Sequence, residues 1–183
     1  GRVMEIDTDE SFDRLLQRFL CEKIGMVHTS YFPSKENSNI AIGAQGGAIA
    51  SSTPHLSEPF NLPLIGGSLY STARDSSRFL RALLRQVSSA EEILMTTQSL
   101  EVYLKPFSDR ASYGLGWTVA MENDKPKRVS HSGALASSRA LFVVNLEAEV
   151  FGVVLYTLSD PASSSVVVRE VSQAVHSVVF PKS

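Results

Sequence analysis

The chain has 183 residues and a formal net charge of −2, with 43% hydrophobic and 20% charged residues. This composition is typical of a folded globular protein that buries a sizeable core, which argues against extended disorder. The nearly balanced charge lacks the basic footprint of nucleic-acid-binding proteins. The longest apolar stretches, such as residues 150–158, are far too short to span a bilayer. We therefore expect a globular protein with no nucleic-acid partner and no membrane span.

The single cysteine, Cys21, excludes an internal disulfide framework and a cysteine-based zinc site. It lies among Leu20, Ile24 and Met26, so we interpret it as a small buried apolar residue rather than a reactive thiol. The four histidines are scattered along the chain and form no metal-binding pair such as HExxH. We therefore expect neither a metal site nor a cofactor.

Apolar residues recur at helical spacing near the start of the chain and predict a helix over residues 12–20. Asp9 and Glu10 lie near its positive end, and Gly25 suits a C-cap. The stretch from Pro33 to Pro63 is rich in Ser, Asn, Gly, Ala and Pro, and predicts a long irregular excursion. The apolar face of the helix consists of Phe12, Leu15, Leu16, Phe19 and Leu20.

A second helix is predicted to begin near Ser71 or Thr72, because Thr72 and Asp75 fit a capping box. Its outward-facing arginines are interpreted as a solvated helix face, with an anion site as the alternative. Residues 89–94 are predicted to form a short third helix. The apolar stripe of the second helix consists of Phe79, Leu80, Leu83, Leu84 and Val87, and its arginines are Arg74, Arg78, Arg81 and Arg85.

After Ser108 the pattern changes to short segments rich in β-branched and aromatic residues, which predict strands. Polar links at residues 123–126 and 147–149 favour antiparallel neighbours. Valines at helical spacing over residues 163–179 predict a final helix despite their β-branching. Together the elements predict an α+β fold, an antiparallel β-sheet flanked by helices. The predicted strands are Tyr113–Met121, Lys127–Ser132, Ala140–Leu146 and Val150–Leu158.

His131, Ser132, Gly133 and Ala134 are consecutive at the end of the second predicted strand. A histidine and a hydroxyl offer polar contacts of adjustable protonation, and a glycine lets a ligand approach the backbone. From these residues alone, a substrate-facing strand edge and a β-turn with a surface histidine both remain open. The glycine-rich residues 43–47 lack the GxxxxGK[ST] phosphate-loop pattern, and no GxSxG nucleophile elbow occurs.

Ordered sequence patterns extend from about residue 11 to residue 158. They read IGMVHT at residues 24–29, GGSLYSTARD at 66–75, YGLGW at 113–117, HSGA at 131–134, LFVVN at 141–145 and GVVLYT at 152–157. In this order and at these spacings they resemble the class C β-lactamase-like serine hydrolases. That family includes penicillin-binding-protein-like peptidases, esterases and some acyltransferases.

The resemblance implies a β-lactamase/transpeptidase-like fold that is incomplete in this chain. Residues 1–183 would be the C-terminal part of a single domain, with a helical and loop segment over residues 1–107. Residues 108–183 would hold the antiparallel strands and the C-terminal helix. The expected function is that of a serine hydrolase or acyltransferase that acts through an acyl-enzyme on a small acyl substrate.

The family relies on three motifs: SxxK with the nucleophilic serine, a Tyr- or Ser-x-Asn motif that moves protons, and Lys- or His-[Ser/Thr]-Gly on a strand edge. Only the third occurs here, as His131-Ser132-Gly133. No serine is followed by lysine three residues later, and neither Tyr-x-Asn nor Ser-x-Asn is present. We expect an N-terminal part of the same enzyme, a separate chain or a cleaved partner, to carry them. A non-catalytic binding protein and an inactive fragment are the alternatives.

By resemblance, His131 takes the place often held by lysine, and it donates to a substrate carboxylate or carbonyl or steers the proton network. Ser132 would hydrogen-bond the substrate or the general base. The motif would line one wall of the active-site cleft, and Gly133 would keep that wall open. The backbone N–H of Ala134 matches one oxyanion-hole donor. Residues 43–63 either shape the acyl pocket or form a plain surface loop. We interpret the side chains of Tyr113 and Trp117 as packing residues rather than substrate contacts.

Overall fold

A computed structural model describes residues 1–34, 39–41, 44–45, 48–49, 65–108, 110–135, 137–158 and 164–181. The chain divides into two compact units, each assembled from several segments. No helix in the described part of the chain has both the length and the apolar character that crossing a bilayer requires. The first unit comprises Gly1–Phe79, Gly133–Arg139 and Leu155–Ala162, and the second comprises Leu80–Ser132, Ala140–Val154 and Ser163–Ser183.

The first unit begins with α1 (Arg2–Thr8), which the sequence patterns did not predict. The predicted first helix is confirmed as α2 (Phe12–Leu16), a π-helical turn (Gln17–Cys21) and α3 (Glu22–Ile24) in direct succession. It begins at an N-cap serine, Ser11, whose side chain accepts the backbone N–H of Arg14. It ends at Gly25, whose φ of 71° is the left-handed conformation expected of a C-cap glycine.

The π-helical turn changes which side chains the first unit buries. Because such a turn inserts an extra residue, it rotates the following side chains about the helix axis. Leu15 and Cys21 are buried, whereas Phe19 is 51% exposed and carries the guanidinium of Arg18 over its ring at 4.5 Å. The predicted apolar face is therefore wrong at Phe19.

Within the stretch predicted to be irregular, two short strands pair in antiparallel fashion, β1 (Ala44–Gln45) and β2 (Ala48–Ile49). The prediction is wrong for these four residues. The glycines Gly43, Gly46 and Gly47, with most of the remaining stretch to Pro63, lie outside the described residues.

The second predicted helix is confirmed as α4 (Ala73–Ser89), and the hydroxyl of Thr72 accepts the backbone N–H of Asp75 at 3.1 Å, as the capping box requires. The apolar stripe is buried at Leu80, Leu83 and Leu84. Arginines 74, 81 and 85 are exposed, as a solvated face predicts. The exception, Arg78, is partly covered and pairs with Asp75.

The short helix predicted at residues 89–94 is wrong. Helix α5 (Thr97–Tyr103) begins after Thr96, and residues 90–95 are irregular. The buried side chain of Gln86 bonds the backbone of this segment: its Oε1 accepts the Leu94 N–H at 2.7 Å, and its Nε2 donates to the Met95 carbonyl at 2.6 Å. These side-chain bonds take the place of helical backbone bonds.

The predicted antiparallel sheet is confirmed, in the order β3-β4-β5-β6. The link between β3 and β4 is a two-residue turn at Asn123 and Asp124, whose φ angles of 50° and 60° suit a hairpin. The predicted last helix is confirmed as α6. The bounds are β3 (Thr118–Glu122), β4 (Lys125–Leu135), β5 (Ser138–Asn145), β6 (Val150–Thr157) and α6 (Ser164–Val179).

In the second unit, α6 packs closely on β6. A side chain at Gly152 would meet Val175 at 2.6 Å, so glycine allows the helix to approach the strand. The side chain of Asn145 donates to the Val179 carbonyl at 3.3 Å and joins the end of β5 to the end of α6. Buried residues of this unit include Leu104, Trp117, Val119, Val129, Val143, Val144, Leu146 and Val179.

Candidate active site

The predicted site residues lie within β4, which does not end at Ser132 but continues to Leu135. Strand β3 pairs with β4 only as far as Thr118 opposite Ser130. His131 and the residues after it therefore extend beyond the last described β3 partner. His131, Ser132 and Ala134 are exposed and Gly133 is half-buried, so the strand presents these positions to solvent. His131 and Ser132 belong to the second unit, whereas Gly133 and Ala134 belong to the first.

The closest partner described for the His131 side chain is Tyr113. Its hydroxyl oxygen lies 3.1 Å from His131 Nε2, and the two ring centroids are 6.2 Å apart at an interplanar angle of 50°. Tyr113 is 43% exposed, so it is not a core residue. Residue spacing could not reveal the pair, because 18 residues separate the two side chains in the chain.

Backbone contacts hold Tyr113 beside β4. Tyr113 bridges Thr118, which in turn faces Ser130, the residue before His131. The Tyr113 carbonyl accepts the Phe107 N–H at 3.0 Å, which ties the other side of the residue to the segment after α5. Tyr113 thus lies in a short three-stranded arrangement that places its ring next to His131.

The tight turn after Tyr113 explains why β3 begins later than the sequence predicted. The N–H of Gly114 donates to the Trp117 carbonyl at 2.9 Å, and Gly116 adopts a φ of 85° that favours glycine. Trp117 is 3% exposed and contacts Tyr103 edge to face, with ring centroids 6.3 Å apart. The packing role predicted for Trp117 is confirmed, and burial raises the pKa of the Tyr103 phenol.

Two of the family-like segments meet in the first unit at a buried carboxylate. Asp75 is fully buried, and its Oδ2 accepts the backbone N–H of His28 at 2.7 Å and the hydroxyl of Thr29 at 3.1 Å. Its Oδ1 accepts the guanidinium of Arg78 at 2.7 Å. The sequence predicted only a capping role for Asp75. The structure shows that it also joins the IGMVHT segment to α4.

The Beta-lactamase family model matches residues 1–175 of the chain. No curated protein matches it in sequence. Among solved structures, a D-amino acid amidase from Ochrobactrum anthropi SV3 has a TM-score of 0.68 at 17% identity, with 96% of this chain and 58% of that protein covered. A penicillin binding protein from Bacillus halodurans has a TM-score of 0.67 at 19% identity, with 95% and 53% covered.

A Beta-lactamase/D-alanine carboxypeptidase from Yersinia pestis has a TM-score of 0.56 at 17% identity, with 93% of this chain and 51% of that protein covered. The chain thus spans a little more than half the length of each of these proteins. At these identities the structures support the fold, while the family model covers nearly the whole chain. The chain therefore belongs to the beta-lactamase family.

Proposed function

We propose that the chain supplies one wall of the active site of a serine hydrolase that works through an acyl-enzyme on an ester, amide or β-lactam. The observation that carries the proposal is the exposed His131-Ser132 pair on β4, beyond the last residue that β3 covers. A strand edge in this condition leaves backbone and side-chain donors available to a ligand. Membership of the beta-lactamase family supports the proposal that His131-Ser132-Gly133 acts as the third motif of a serine acyl-transfer site.

In the proposed reaction, a serine hydroxyl attacks the acyl carbon of the substrate, and charge develops on the acyl oxygen. The backbone N–H of Ala134 and the N–H of the nucleophilic serine stabilise that oxygen, and loss of one such donor costs about 10²–10³ in kcat in a well-studied hydrolase. The lysine of SxxK, acting as the general base, takes the serine proton and passes it to the leaving group, which departs and leaves a serine ester. Water then cleaves the ester, which releases the acid and restores the serine hydroxyl. His131 donates to the substrate, and Ser132 hydrogen-bonds the substrate or the general base.

The nucleophile is proposed to lie in a part of the same enzyme outside these 183 residues. Within them, no serine is followed by lysine at the third position, and the Tyr- or Ser-x-Asn motif is also absent. The structural relatives, of which the chain spans 51–58%, are long enough to hold such a part. The two parts together would form the complete acyl-enzyme site.

A fluorophosphonate probe on the native enzyme tests the position of the nucleophile. We expect covalent labelling of one serine, and peptide mass spectrometry should locate it in an SxxK sequence outside this chain. Intact mass of the native preparation should show the polypeptide that carries it. Labelling of a serine within residues 1–183, or no labelling of a preparation that binds acyl ligands, would contradict the proposal. The latter result would favour a non-catalytic binding protein.

His131→Ala in the same native enzyme tests whether His131 contacts the substrate. We expect kcat/KM for ester hydrolysis to fall at least about tenfold with the circular dichroism spectrum unchanged, in line with loss of a positioned hydrogen-bond donor to the substrate. The matched control is His28→Ala, because the His28 side chain is exposed and the backbone N–H bound to Asp75 is retained. Equal turnover in the two variants would remove His131 from the site.

A further inference from the structure

The hydroxyl of Tyr113 forms a hydrogen bond with one of the two ring nitrogens of His131. Its hydroxyl oxygen lies 3.1 Å from Nε2, and the tilted rings, 6.2 Å apart, keep the imidazole beside the phenol. We infer that Tyr113 is a positioning residue that fixes the tautomer of His131 and makes Nδ1 the nitrogen that serves the substrate. This inference rests on the proposed function, because it assigns the hydrogen bond from His131 to the substrate to one atom of the ring.

The direction of the hydrogen bond follows from the chemistry of the two groups. A phenol hydroxyl is a good donor, and the unprotonated nitrogen of a neutral imidazole is the strongest acceptor available to it. The reverse arrangement would pair an imidazole N–H with a phenol oxygen, which is a weaker acceptor. With Tyr113 donating to Nε2, the imidazole proton resides on Nδ1.

This tautomer selects one role among those open to His131. A neutral imidazole with a proton on Nδ1 offers a donor there and no acceptor, so it binds an oxygen that accepts a hydrogen bond. The substrate group it recognises is therefore a carboxylate or carbonyl oxygen. Since Nε2 is engaged by Tyr113 and Nδ1 carries the proton, neutral His131 in this tautomer is not a general base.

The position of Tyr113 is suited to such a task. Its backbone is held by the bridge to Thr118 and by the Phe107 N–H, and Gly114 lets the following turn approach the carbonyl of Lys105. The ring is thus anchored by its backbone while its hydroxyl stays at the exposed face of the second unit. This anchoring keeps the hydroxyl within hydrogen-bond distance, 3.1 Å, of the imidazole.

Nitrogen-15 NMR of the native enzyme with labelled histidine tests the tautomer directly, at a pH where histidine is ordinarily neutral. The His131 signals are identified by their loss in His131→Gln. We expect a protonated Nδ1 and an unprotonated Nε2, and Tyr113→Phe should shift the proton toward Nε2, the tautomer that free histidine prefers in water. Tyr156→Phe, which removes a half-buried phenol hydroxyl from β6, is the matched control and should leave the pattern unchanged. An identical pattern in wild type and Tyr113→Phe would overturn the inference.

Measurement of kcat and KM gives a second test, because a purely structural role of Tyr113 would not change KM alone. If Nδ1–H holds a substrate oxygen in the ground state, Tyr113→Phe should raise KM several-fold and change kcat less than twofold. An equal fall in kcat and kcat/KM, with KM unchanged, would contradict this assignment. The two proposals fail separately, because an inactive native enzyme would sink the proposed function while the tautomer measurement would still decide the role of Tyr113.

Discussion

The carboxylate of Asp75 accepts the backbone N–H of His28 at 2.7 Å across 47 residues of sequence. The same carboxylate accepts the hydroxyl of Thr29 and the guanidinium of Arg78. Because Asp75 is fully buried, each of these partners replaces water that the carboxylate has lost. This one side chain therefore joins the segment that follows α3 to the first turn of α4.

Asp75→Ala should lower the free energy of unfolding by about 3–5 kcal/mol, since it removes the carboxylate that three donors share and leaves the buried Thr29 hydroxyl and the His28 N–H without their acceptor. Urea denaturation followed by circular dichroism measures the loss. Glu101→Ala on the exposed face of α5 is the control and should stay within about 0.5 kcal/mol of wild type. A loss below about 1 kcal/mol in Asp75→Ala would show that the network contributes little.

Gln86→Ala tests whether the Gln86 side chain holds residues 90–95 in their irregular conformation. Gln86 is 2% exposed; its Oε1 accepts the N–H groups of Leu94 and Met95, and its Nε2 donates to the Met95 carbonyl. Truncation therefore leaves partly buried backbone groups without these partners. We expect a loss of about 2–3 kcal/mol and faster hydrogen exchange at the Leu94 and Met95 amides. The exposed Gln98→Ala is the matched control. Unchanged exchange at these amides would contradict the assignment.

Gly114→Ala tests the close approach that seats Tyr113. An added Cβ would collide with the backbone carbonyl of Lys105, which cannot move without shifting the Pro106–Gly114 bridge. We expect a loss of about 1–3 kcal/mol by urea denaturation, as overpacking costs. Gly67→Ala is the matched control, because no atom lies within 4 Å of its added Cβ and it should be nearly neutral. Equal stability of the two variants would rule out the steric explanation.

Local chemistry could be predicted from the sequence, and contacts between distant residues could not. The cap of Thr72 on Asp75 and the C-cap at Gly25 depend on residues a few positions apart, and both are confirmed. The hairpin at Asn123 and Asp124 is confirmed for the same reason. By contrast, the bond from His28 to Asp75 depends on how segments pack, and no local pattern encodes it.

Two helix predictions are wrong for different physical reasons. The π-helical turn at Gln17–Cys21 shifts the buried face by one residue, which a fixed helical period cannot represent. The Gln86 side chain hydrogen-bonds the backbone of Leu94 and Met95, eight and nine residues later, and helical propensity does not encode such a contact. For the candidate site, the HSGA pattern indicates His131, but it does not indicate the partner Tyr113, because an aromatic residue beside glycines carries no sign of exposure in the sequence.

The buried thiol of Cys21 in the first unit should react slowly with alkylating reagents. Cys21 is 2% exposed, and burial, with smaller contributions from the nearby carboxylates of Asp13 and Asp75, raises its pKa to about 11. Since only the thiolate reacts with alkylating reagents, the raised pKa lowers the reactive fraction at any pH below it. At pH 8 that fraction is about one in a thousand, against about one in four for an ordinary cysteine thiol.

Iodoacetamide labelling of the native enzyme at pH 8, read out on the peptide that contains Cys21, should therefore be at least about two orders of magnitude slower than labelling in guanidinium chloride. The rate should rise with pH up to about 11, because the thiolate population grows in that range. The denatured sample is the internal control, since unfolding removes both the burial and the neighbouring carboxylates. Rapid labelling of native Cys21 at pH 8 would mean that the contact surface of α2 and the π-helical turn opens readily, and that the thiol is a reactive rather than a packing residue.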